Sequence, residues 1–572
     1  MASRTVYIET FGCQMNELDS ELVSGQLRAL GYRFVPEADA ADVVLYNTCS
    51  VREHAEQKVW SRLGELALRK RAEPALVVGV LGCLAERDGE ALVKRMPVVD
   101  ILCGPGELDK LPSLLDNAVR TRESLVADVG SRMSDVGEEK PGREPLVSAR
   151  QVALQGSASR RSATLAAAGD SLELLDLSRS ISAVDGPEGL KKSAYVRITR
   201  GCNKFCTYCV VPFTRGAEVH RPPRHIVDEC KRLADSGVIE VTLLGQTVNH
   251  YRFEHGAAVT VGGLVQPQKG RTYAGGHSRD PFAGANTTTF ADLLAMIHDE
   301  VPAIRRLRFV TSYPRDFGDD VLEVMRDHPR ICRYLHVPGQ SGSDRMLKLM
   351  NRGYTASEYV EFLDRARGYL HQPDIGRPLM VSGDFIVGFP TETDEDFEAS
   401  VALLERARYK NSFIFKYSAR PGTVAIDKYP DDVPEAVKRE RNNRMLAVQA
   451  RISEEISREQ VGETLEVFVE GLSPRERKKR KRAQAPHHSH AGVSLTINGV
   501  SKAGDADSCC GATVADDAAE TGPPQLRGRT DGDLIVLFDA PEGRAAASLV
   551  GELVNVKITG ASGLSCFGEV SV

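Results

Sequence analysis

The chain has 572 residues, of which 42% are hydrophobic and 27% are charged, and its formal net charge is −6. This length predicts about three or four domains with ordinary buried cores. A net negative charge excludes a general attraction to nucleic acid or membranes, so any RNA contact has to come from local basic patches. The sequence has no apolar run of roughly 18 residues and no signal-peptide pattern at its N-terminus. We therefore expect a cytoplasmic protein without a membrane partner.

The first hundred residues alternate apolar runs with helical patterns. Three apolar runs end at Cys13, Cys49 and Cys83, and amphipathic segments follow the first two. This alternation predicts a parallel α/β sheet, in which the carboxyl ends of the strands share one edge and bind ligands. One strand–helix unit separates each cysteine from the next, so we expect the three thiols to lie close together. Residues 1–130 are predicted to form this Rossmann-like N-terminal domain.

A second series of strand–helix units begins after a long polar segment. Residues 131–192 are interpreted as a linker or insertion, because their small and polar residues show no clear period. Residues 193–460 predict a partial (β/α) barrel of the TIM type, with its chemistry at the C-terminal ends of the strands. Within them, residues 253–288 are Gly-rich and aperiodic, which predicts a surface insertion in one βα loop.

The last part of the chain, residues 461–572, shows short strands separated by turn residues, which predicts a small β-barrel. A low-complexity insertion at about 474–523 interrupts it and contains the basic run "RERKKRKR". We expect this insertion to be a disordered, solvated loop rather than the main RNA anchor.

The stretch "RGCNKFCTYCVVPFTRG" holds Cys202, Cys206 and Cys209. Thiolates are soft ligands suited to iron and sulfide, and this spacing lets one loop hold three corners of a [4Fe–4S] cluster. With three ligands, one iron stays open to a small chelating molecule. The alternative is a zinc site, which needs a fourth ligand, and no His or Cys stands at zinc-finger spacing nearby.

The segment "CNKFCTYC" resembles the CxxxCxxC motif of radical S-adenosylmethionine enzymes. The resemblance implies that the open iron binds S-adenosylmethionine, whose reductive cleavage gives a 5′-deoxyadenosyl radical. Alone, Cys13, Cys49 and Cys83 could be buried core thiols. Together with the downstream motif they resemble the radical S-adenosylmethionine methylthiotransferase family, which implies that they hold an auxiliary [4Fe–4S] cluster. No metal role is assigned to the other cysteines, which are Cys103, Cys230, Cys332, Cys509, Cys510 and Cys566.

The match is closest to the tRNA-modifying branch, on "FGCQMNELDSE" and "GCNKFCTYCVVPFTRGAEVHRP". It implies addition of a methylthio group to C2 of an isopentenylated adenosine beside the anticodon of tRNA. An unactivated aromatic C–H has no useful acidity, so a cofactor has to carry this step. The resemblance also implies a flavodoxin- or ferredoxin-like electron donor and a sulfur source, and we expect a monomer.

Three other functions stay open at this point. The substrate could be threonylcarbamoyl-adenosine in tRNA or an aspartate of a ribosomal protein. The chain could also be a non-catalytic iron–sulfur protein that binds RNA, although the intact set of six cysteines argues against this.

The loops at the predicted strand ends supply candidate contacts for S-adenosylmethionine, namely Gly245, Gln246, Asn249, Ser312 and Gly388. Each glycine could equally serve a tight turn. The chain departs from the family pattern at positions expected to line the pocket, which are His220, Thr247, Tyr313 and Gly339. The C-terminal strands resemble the TRAM domain, a small RNA-binding β-barrel, which implies phosphate contacts from Arg527, Arg529 and Lys557.

Overall fold

The computed structural model of the protein describes residues 4–50, 53–133, 150–154, 170–179, 185–186, 189–190, 192–270, 286–484, 496–497, 500–501 and 522–571. The chain divides into two compact units, Met1–Ile456 and Ser457–Val572. This boundary lies a few residues before the predicted start of the C-terminal domain. None of the helices in the described ranges is both long and apolar enough to cross a membrane.

The N-terminal part of the first unit is a six-stranded parallel sheet in the order β2-β1-β3-β4-β5-β6. This confirms the predicted parallel α/β architecture. Because the strand order reverses between β1 and β3, the carboxyl ends of these two strands flank a topological switch point, where such sheets bind ligands. The strands are β1 (Thr5–Phe11), β2 (Arg33–Phe34), β3 (Val43–Thr48), β4 (Val77–Gly82), β5 (Ile101–Cys103) and β6 (Gln151–Ala153).

Side chains along these strands alternate between two cores, one on each face of the sheet, as the period of a strand requires. Val43 and Leu45 pack into one core, whereas Val44 and Tyr46 pack into the other. Cys103 is fully buried in the first core, where a structural thiol is expected. The helices of this region are α1 (Gln14–Ala29), α2 (Glu53–Ala72), α3 (Cys83–Asp88), α4 (Glu90–Arg95), α5 (Leu111–Met133) and α6 (Ser171–Leu177).

The interpretation of residues 131–192 as a linker is wrong for two described segments. Strand β6 is the sixth strand of the sheet, and α6 places Leu172 and Leu175 in the first core. The side chain of Asp170 caps α6 by accepting a hydrogen bond from the backbone N–H of Glu173 at 3.0 Å. Both elements are too short to show a hydrophobic period, so the sequence pattern missed them.

The second part of the first unit is a partial (β/α) barrel. Two parallel three-stranded sheets, β9-β8-β7 and β10-β11-β12, are connected by a parallel bridge between Leu307 and Ile331. The six strands therefore follow one another in chain order, which confirms the predicted partial barrel. They are β7 (Ser193–Arg197), β8 (Glu240–Leu244), β9 (Arg306–Phe309), β10 (Tyr334–His336), β11 (Met380–Val387) and β12 (Asn411–Lys416).

The barrel helices begin with clear local signals. Thr289, Thr355 and Thr393 each form a capping box with the acidic residue three positions later. The helices are α7 (Val211–Thr214), α8 (Pro223–Asp235), α9 (Phe290–Glu300), α10 (Asp319–Asp327), α11 (Asp344–Leu349), α12 (Ala356–Leu370), α13 (Asp394–Ala407), α14 (Val424–Lys428) and α15 (Glu435–Arg458).

The predicted surface insertion lies between β8 and α9. Its first half contains several exposed residues, as expected, and it also forms short strands. Arg252–Glu254 pairs with Thr287–Thr289, so the two ends of the insertion are adjacent. Gln268–Lys269 pairs with Val219–His220, which follows the three-cysteine loop. Residues 271–285 of the predicted insertion lie outside the described residues.

The second unit is a closed five-stranded barrel in the order β13-β14-β15-β17-β16, as predicted. Its strands are β13 (Thr464–Leu472), β14 (Gln525–Thr530), β15 (Ile535–Asp539), β16 (Leu553–Ser562) and β17 (Ser565–Val570). The start of the predicted disordered insertion is instead a helix, α16 (Pro474–Gln484), which contains the basic run, and a short helix α17 (Ala546–Leu549) follows β15. Most of residues 485–521 lie outside the described ranges.

A buried network of ion pairs connects the N-terminal sheet to the barrel. Asp19 of α1 accepts hydrogen bonds from Arg197 at 3.1 Å and from Arg215 at 2.8 Å. The side chains of Asp19 and Arg197 are each only 1% exposed. Arg197 also pairs with Asp176 of α6 at 2.7 Å, so α1, α6 and the end of β7 are held together by charge.

The same network extends to α8. Arg221 pairs with Glu173 at 2.9 Å and with Glu229 at 2.8 Å, and Arg179 pairs with Glu229 at 3.1 Å. Burial by itself raises the pKa of Glu173, but Arg221 and His225 lower that pKa to about 2. The carboxylate of Glu173 therefore stays ionised at neutral pH and remains paired with Arg221.

We expect Asp19→Ala to lower the free energy of unfolding by about 3–5 kcal/mol, because it leaves two buried guanidiniums without this partner. Glu405→Ala is the matched control, since Glu405 pairs with Arg451 at 3.0 Å on the surface, where both side chains are more than half exposed. The control should cost at most about 1 kcal/mol. Urea unfolding of both variants checks this. Equal losses in the two variants would show that the buried network does not hold the parts together.

Candidate active site

Three thiols meet at the switch point of the N-terminal sheet. Cys13 follows β1 and precedes α1, Cys49 follows β3, and Cys83 begins α3 directly after β4. The loops after β1 and β3 are in direct contact: Gly12 has a φ of +144°, and a Cβ there would lie 2.4 Å from the Cβ of Cys49. The structure therefore brings together the three cysteines that the strand–helix spacing places at one edge.

Asparagine side chains hold these loops in register. Asn47 donates to the backbone O of Asn16 and to Ser20, each at 2.9 Å, and accepts from the amide of Asn16 at 2.9 Å. The thiol of Cys13 donates to Oδ1 of Asn16 at 3.2 Å. Gly82, with φ +85°, packs so closely on Asn47 that a Cβ would lie 2.4 Å from its Oδ1. Any larger residue at position 82 would displace this hydrogen-bonded support.

Arg215 brings a buried positive charge to this set of thiols. Its guanidinium donates to Oδ1 of Asn16 at 3.2 Å and to Asp19. A hydrogen bond with Cys49, aided by the charge of Arg215, lowers the pKa of Cys13 to about 6, against the effect of burial. Burial raises the pKa of Cys83, and Arg215 and a hydrogen bond from Thr214 oppose that rise. Arg215 thus favours the thiolate form that metal binding requires.

The second set of thiols lies in one loop that follows the short strand Thr199–Arg200. Cys206 is 8% exposed, and the backbone N–H of Cys209 donates to the O of Cys206 at 3.0 Å. Phe205 takes a φ of +50°, and the amide of Asn351 donates to its carbonyl at 3.0 Å. Gly201 has a φ of +67° at the start of the loop, and a Cβ there would lie 2.1 Å from the O of Ala217. The loop is therefore held in one wrapped conformation.

Cations and tyrosine rings surround this loop. Arg352 donates to Sγ of Cys206 at 3.3 Å, and its guanidinium lies 4.6 Å from the ring centroid of Tyr313. The ammonium of Lys204 lies over the same ring at 4.6 Å and pairs with Asp316. Sγ of Cys202 accepts from the backbone N–H of Lys204 at 3.4 Å. These donors suit sulfur ligands that carry negative charge.

Burial raises the pKa of Cys202 to about 12, and the neighbouring Cys206 adds to this rise. The pKa of Cys209 is also raised, first by burial and then by Cys206 and Cys202. Three thiolates in one loop, with Cys206 buried and Cys202 and Cys209 half-buried, repel one another unless a cation joins them. The donor chemistry therefore fits an iron–sulfur cluster, whose irons bind thiolates and whose charge removes this repulsion.

Two of the predicted S-adenosylmethionine contacts suit a ligand. Ser312 is 4% exposed, and its hydroxyl has no hydrogen-bond partner within the described part of the chain. Gly245 packs on Thr199, where a Cβ would lie 2.3 Å from Oγ1, and this hydroxyl is likewise buried without a partner among those residues. Gln246 is half-buried in the same loop. A ligand with polar groups near Ser312 and Thr199 would satisfy both hydroxyls.

The two remaining predicted contacts already have structural partners. The amide of Asn249 donates to the O of Tyr313 and accepts from its N–H, each at 2.8 Å, so it ties together the loops after β8 and β9. Gly388 has a φ of +68°, and a Cβ there would lie 2.3 Å from Cγ of Lys438. Glycine is needed at 388 on these grounds alone, so its role toward S-adenosylmethionine stays a prediction.

The four departures from the family pattern lie near this loop or in the barrel behind it. Thr247 Oγ1 is 3.9 Å from Sγ of Cys202, and the hydroxyl of Tyr313 accepts from the backbone N–H of Gly353 at 2.9 Å. Gly339 packs against Tyr409, whose hydroxyl would lie 3.2 Å from a Cβ. His220 is 2% exposed and lies beside His250.

The predicted RNA contacts lie on the second unit and differ in their partners. Arg527 and Arg529 both pair with Glu470, at 3.1 and 2.8 Å, and Arg529 also pairs with Asp533 at 2.7 Å. Lys557 is exposed on β16, and no ion pair of the described residues includes it. Their role in RNA binding stays a prediction.

Several site residues were missed in the sequence analysis. Lys204 lies in the cysteine loop, and Arg215 and Arg352 lie after it. None of the three stands at a spacing that predicts a role in the site. Arg215 had one available signal, because it lies in the quoted "VVPFTRG" segment directly after the third cysteine. Arg352 approaches from a distant segment, so no local pattern predicts it.

Comparison with known proteins places this geometry in a family. Residues 5–104 match the model of Uncharacterized protein family UPF0004, and residues 196–404 match the Radical SAM superfamily. The chain is 43% identical over 471 residues to the tRNA-2-methylthio-N(6)-dimethylallyladenosine synthase of Rhodopirellula baltica, covering 82% of this chain and 84% of that protein. It is 35% identical over 572 residues to the protein of that name from Porphyromonas gingivalis, covering 99% of this chain and 95% of that protein. A third relative with this name, from Mycolicibacterium smegmatis, is 38% identical over 466 residues, which is 82% of this chain and 76% of that protein.

Both family models coincide with the regions that carry the two sets of cysteines, and the relatives match along most of their own length. The chain therefore belongs to the tRNA-2-methylthio-N(6)-dimethylallyladenosine synthase family of radical S-adenosylmethionine methylthiotransferases.

Proposed function

We propose that this chain transfers a methylthio group to C2 of the isopentenylated adenosine beside the anticodon in tRNA. The observation that carries the proposal is the pair of three-cysteine sets in one compact unit, each at the carboxyl end of a parallel strand or just beyond it. Arg215 follows the second set of cysteines in the chain. Its guanidinium donates a hydrogen bond to Asn16, which supports the loop of Cys13 in the first set. The family membership supports the same reaction and does not favour the ribosomal-protein or threonylcarbamoyl-adenosine substrates.

The two sets have different tasks in this proposal. Cys202, Cys206 and Cys209 hold a [4Fe–4S] cluster beside S-adenosylmethionine, and Cys13, Cys49 and Cys83 hold the auxiliary cluster. When bound, these groups would supply the one-electron and radical chemistry at C2 and the sulfur of the methylthio group, whose methyl group would come from a second S-adenosylmethionine. The protein has to exclude water from a reactive radical and to align the base with both sites.

Residues of the chain account for these requirements. Arg352 holds Cys206 and stacks on Tyr313, so it fixes the cysteine loop in a buried setting. Ser312 offers a buried hydroxyl toward S-adenosylmethionine. The charge of Arg215 favours the thiolate forms of Cys13 and Cys83, and its pairing with Asp19 fixes their position relative to the loop that it follows.

The balance of the reaction requires partners beyond tRNA. We propose an electron donor of the flavodoxin or ferredoxin type, because the cleavage of S-adenosylmethionine consumes an electron. A sulfur source has to replace the sulfur that leaves in the product. Each cysteine set is contributed by one chain, so a monomer suffices, and a tRNA substrate is consistent with a cytoplasmic location.

The proposed substrate is tested by mass spectrometry of tRNA nucleosides from a deletion strain. The methylthio derivative of isopentenyladenosine should disappear and should return on expression of the wild-type chain. A deletion strain that keeps this nucleoside, or that loses only a methylthio derivative of threonylcarbamoyl-adenosine, would contradict the proposal.

Replacing Cys202, Cys206 and Cys209 by Ala should abolish cleavage of S-adenosylmethionine while roughly half of the bound iron remains, because each set holds its own four-iron cluster. Iron counting and deoxyadenosine assays of anaerobically purified protein check this. Cys230→Ala is the control, since Cys230 is fully buried in α8 and should affect neither quantity. Deoxyadenosine formation by the triple variant would remove the cluster assignment.

Replacing Cys13, Cys49 and Cys83 by Ala should have the complementary effect. Deoxyadenosine should still form, because the second set is intact, but methylthio transfer to tRNA should stop. Cys103→Ala serves as the control, as Cys103 lies in the neighbouring core. If the triple variant still made methylthio-adenosine, the three N-terminal cysteines would be ordinary core thiols.

We expect Lys557→Ala to weaken tRNA binding and to reduce the slope of log affinity against log salt by about one, because one phosphate contact is lost. Arg529→Ala should change both less, since Glu470 and Asp533 already neutralise its charge. Deletion of residues 474–523 should also have a small effect. Filter binding at several salt concentrations compares the three. If the deletion had the largest effect, the basic helix α16 would be the anchor.

A further inference from the structure

A second group of potential metal ligands lies outside both cysteine sets. Glu218, His220 and His250 each offer one ligand atom, and these atoms all lie within 4.8 Å of one another. Glu218 and His220 are 1% and 2% exposed, and His250 is half-buried. Nδ1 of His250 lies 2.8 Å from Oε2 of Glu218. Two imidazoles and a carboxylate at this separation form a donor set that proteins use for zinc and other first-row metals.

Two atoms of this group are buried and have no partner. Oε1 of Glu218 and Nδ1 of His220 make no hydrogen bond within the described part of the chain. A buried acceptor or donor left in this state costs about 1–3 kcal/mol, so a native structure normally satisfies it. An ion bound by these two atoms would remove both deficits at once.

The protonation states suit a cation. Burial lowers the pKa of His220 to about 4, so its imidazole is neutral and able to bind a metal at neutral pH. Burial alone would raise the pKa of Glu218, but His250, His220 and Lys204 lower it below its ordinary value. Glu218 is therefore a carboxylate, and it faces the two imidazoles.

The backbone around the group is close-packed on the side of the insertion. A Cβ at Gly270 would lie 2.9 Å from Nε2 of His220 and 3.0 Å from Cγ of Glu218, so only glycine fits there. Gly270 follows the strand Gln268–Lys269, which pairs with Val219–His220. The insertion thus covers this side of the group.

We propose that Glu218, His220 and His250 bind a divalent first-row transition metal ion, separate from the two iron–sulfur sites. The ion would join two segments, the strand that returns from the cysteine loop and the turn after β8 that ends at His250, and the insertion would cover it. Asn203, next to Cys202, accepts from the N–H of Glu218 at 3.0 Å and donates to the O of Gly270 at 3.2 Å. The metal would therefore brace the cysteine loop from behind. This inference does not depend on the proposed function.

The test uses the holoenzyme with both clusters reconstituted, to which Zn²⁺ is added before desalting. Zinc is the probe because it displaces more weakly bound divalent iron or manganese from nitrogen and oxygen ligands. Zinc and iron per chain are measured by mass spectrometry, and the zinc environment by X-ray absorption. We expect about one zinc per chain, with nitrogen and oxygen neighbours at about 2.0–2.1 Å and no sulfur at about 2.3 Å.

Variants identify the ligands. His220→Ser and His250→Ser should each weaken zinc binding by more than the roughly 10–100-fold that loss of an outer-shell partner costs, with unchanged iron content. His255→Ser is the matched control, because His255 lies exposed in the same insertion and should keep the zinc. An unchanged iron content shows that a variant is folded. If the His220 variant loses iron, the His250 variant decides whether the site binds zinc, because His250 is only half-buried.

Three results would overturn the proposal. The wild-type holoenzyme could retain no zinc, the zinc could have sulfur neighbours and so occupy a cysteine site, or both histidine variants could keep it. In each case Glu218 and His250 would form only a buried ion pair, and His220 would be a neutral histidine packed beside them. None of these results would bear on tRNA methylthiolation, which is read out separately.

Discussion

The position of Asp19 between Arg197 and Arg215 is the constraint on which the two cysteine sets depend. Asp19 lies on the helix that starts after Cys13, and Arg215 follows Cys209 by six residues in the next segment. A charge this deeply buried is tolerated only while its partners stay in place. The sheet and the barrel cannot shift against each other without exposing or unpairing it. The ion pairs of Asp19 thus help to fix the position of one set of thiols relative to the other.

The two thiol sets are prepared differently for their ligands. Arg215 and Cys49 make Cys13 easy to ionise, so the first set is partly anionic before any metal arrives. Cys202 and Cys209 resist ionisation because burial and their neighbours oppose negative charge. Assembly of the second cluster therefore has to release protons from this loop, in which the guanidinium of Arg352 donates a hydrogen bond to Cys206.

The sequence predicted those parts of the molecule that have a local signature. The strand–helix alternation predicted the N-terminal parallel sheet and the partial barrel, and the strand-end positions of Cys13, Cys49 and Cys83 predicted their meeting at one edge. It did not predict β6 or α6, which are too short to show a period and are stabilised by pairing with β5 and by packing in the first core of the sheet. It also missed the Asp19–Arg197 pair, whose members are far apart in the chain, and the helical form of the basic segment after Pro474. The hydrogen bonds between Asn249 and the backbone of Tyr313 also leave no mark in a sequence, and the contact of Asn249 with S-adenosylmethionine stays a prediction.

The capping box at Thr289 has a consequence for how this chain can vary in length. Helix α9 starts from its own local signal immediately after the insertion, and the strand Arg252–Glu254 closes against Thr287–Thr289. The barrel therefore meets the same two anchor points whatever lies between them, and extra residues add only a slowly growing entropy of loop closure. This segment can accept or lose hairpins without disturbing the strands on either side, provided that Gln268–Lys269 keeps its pairing with Val219–His220. It is a place where new binding features can be added to an unchanged catalytic scaffold.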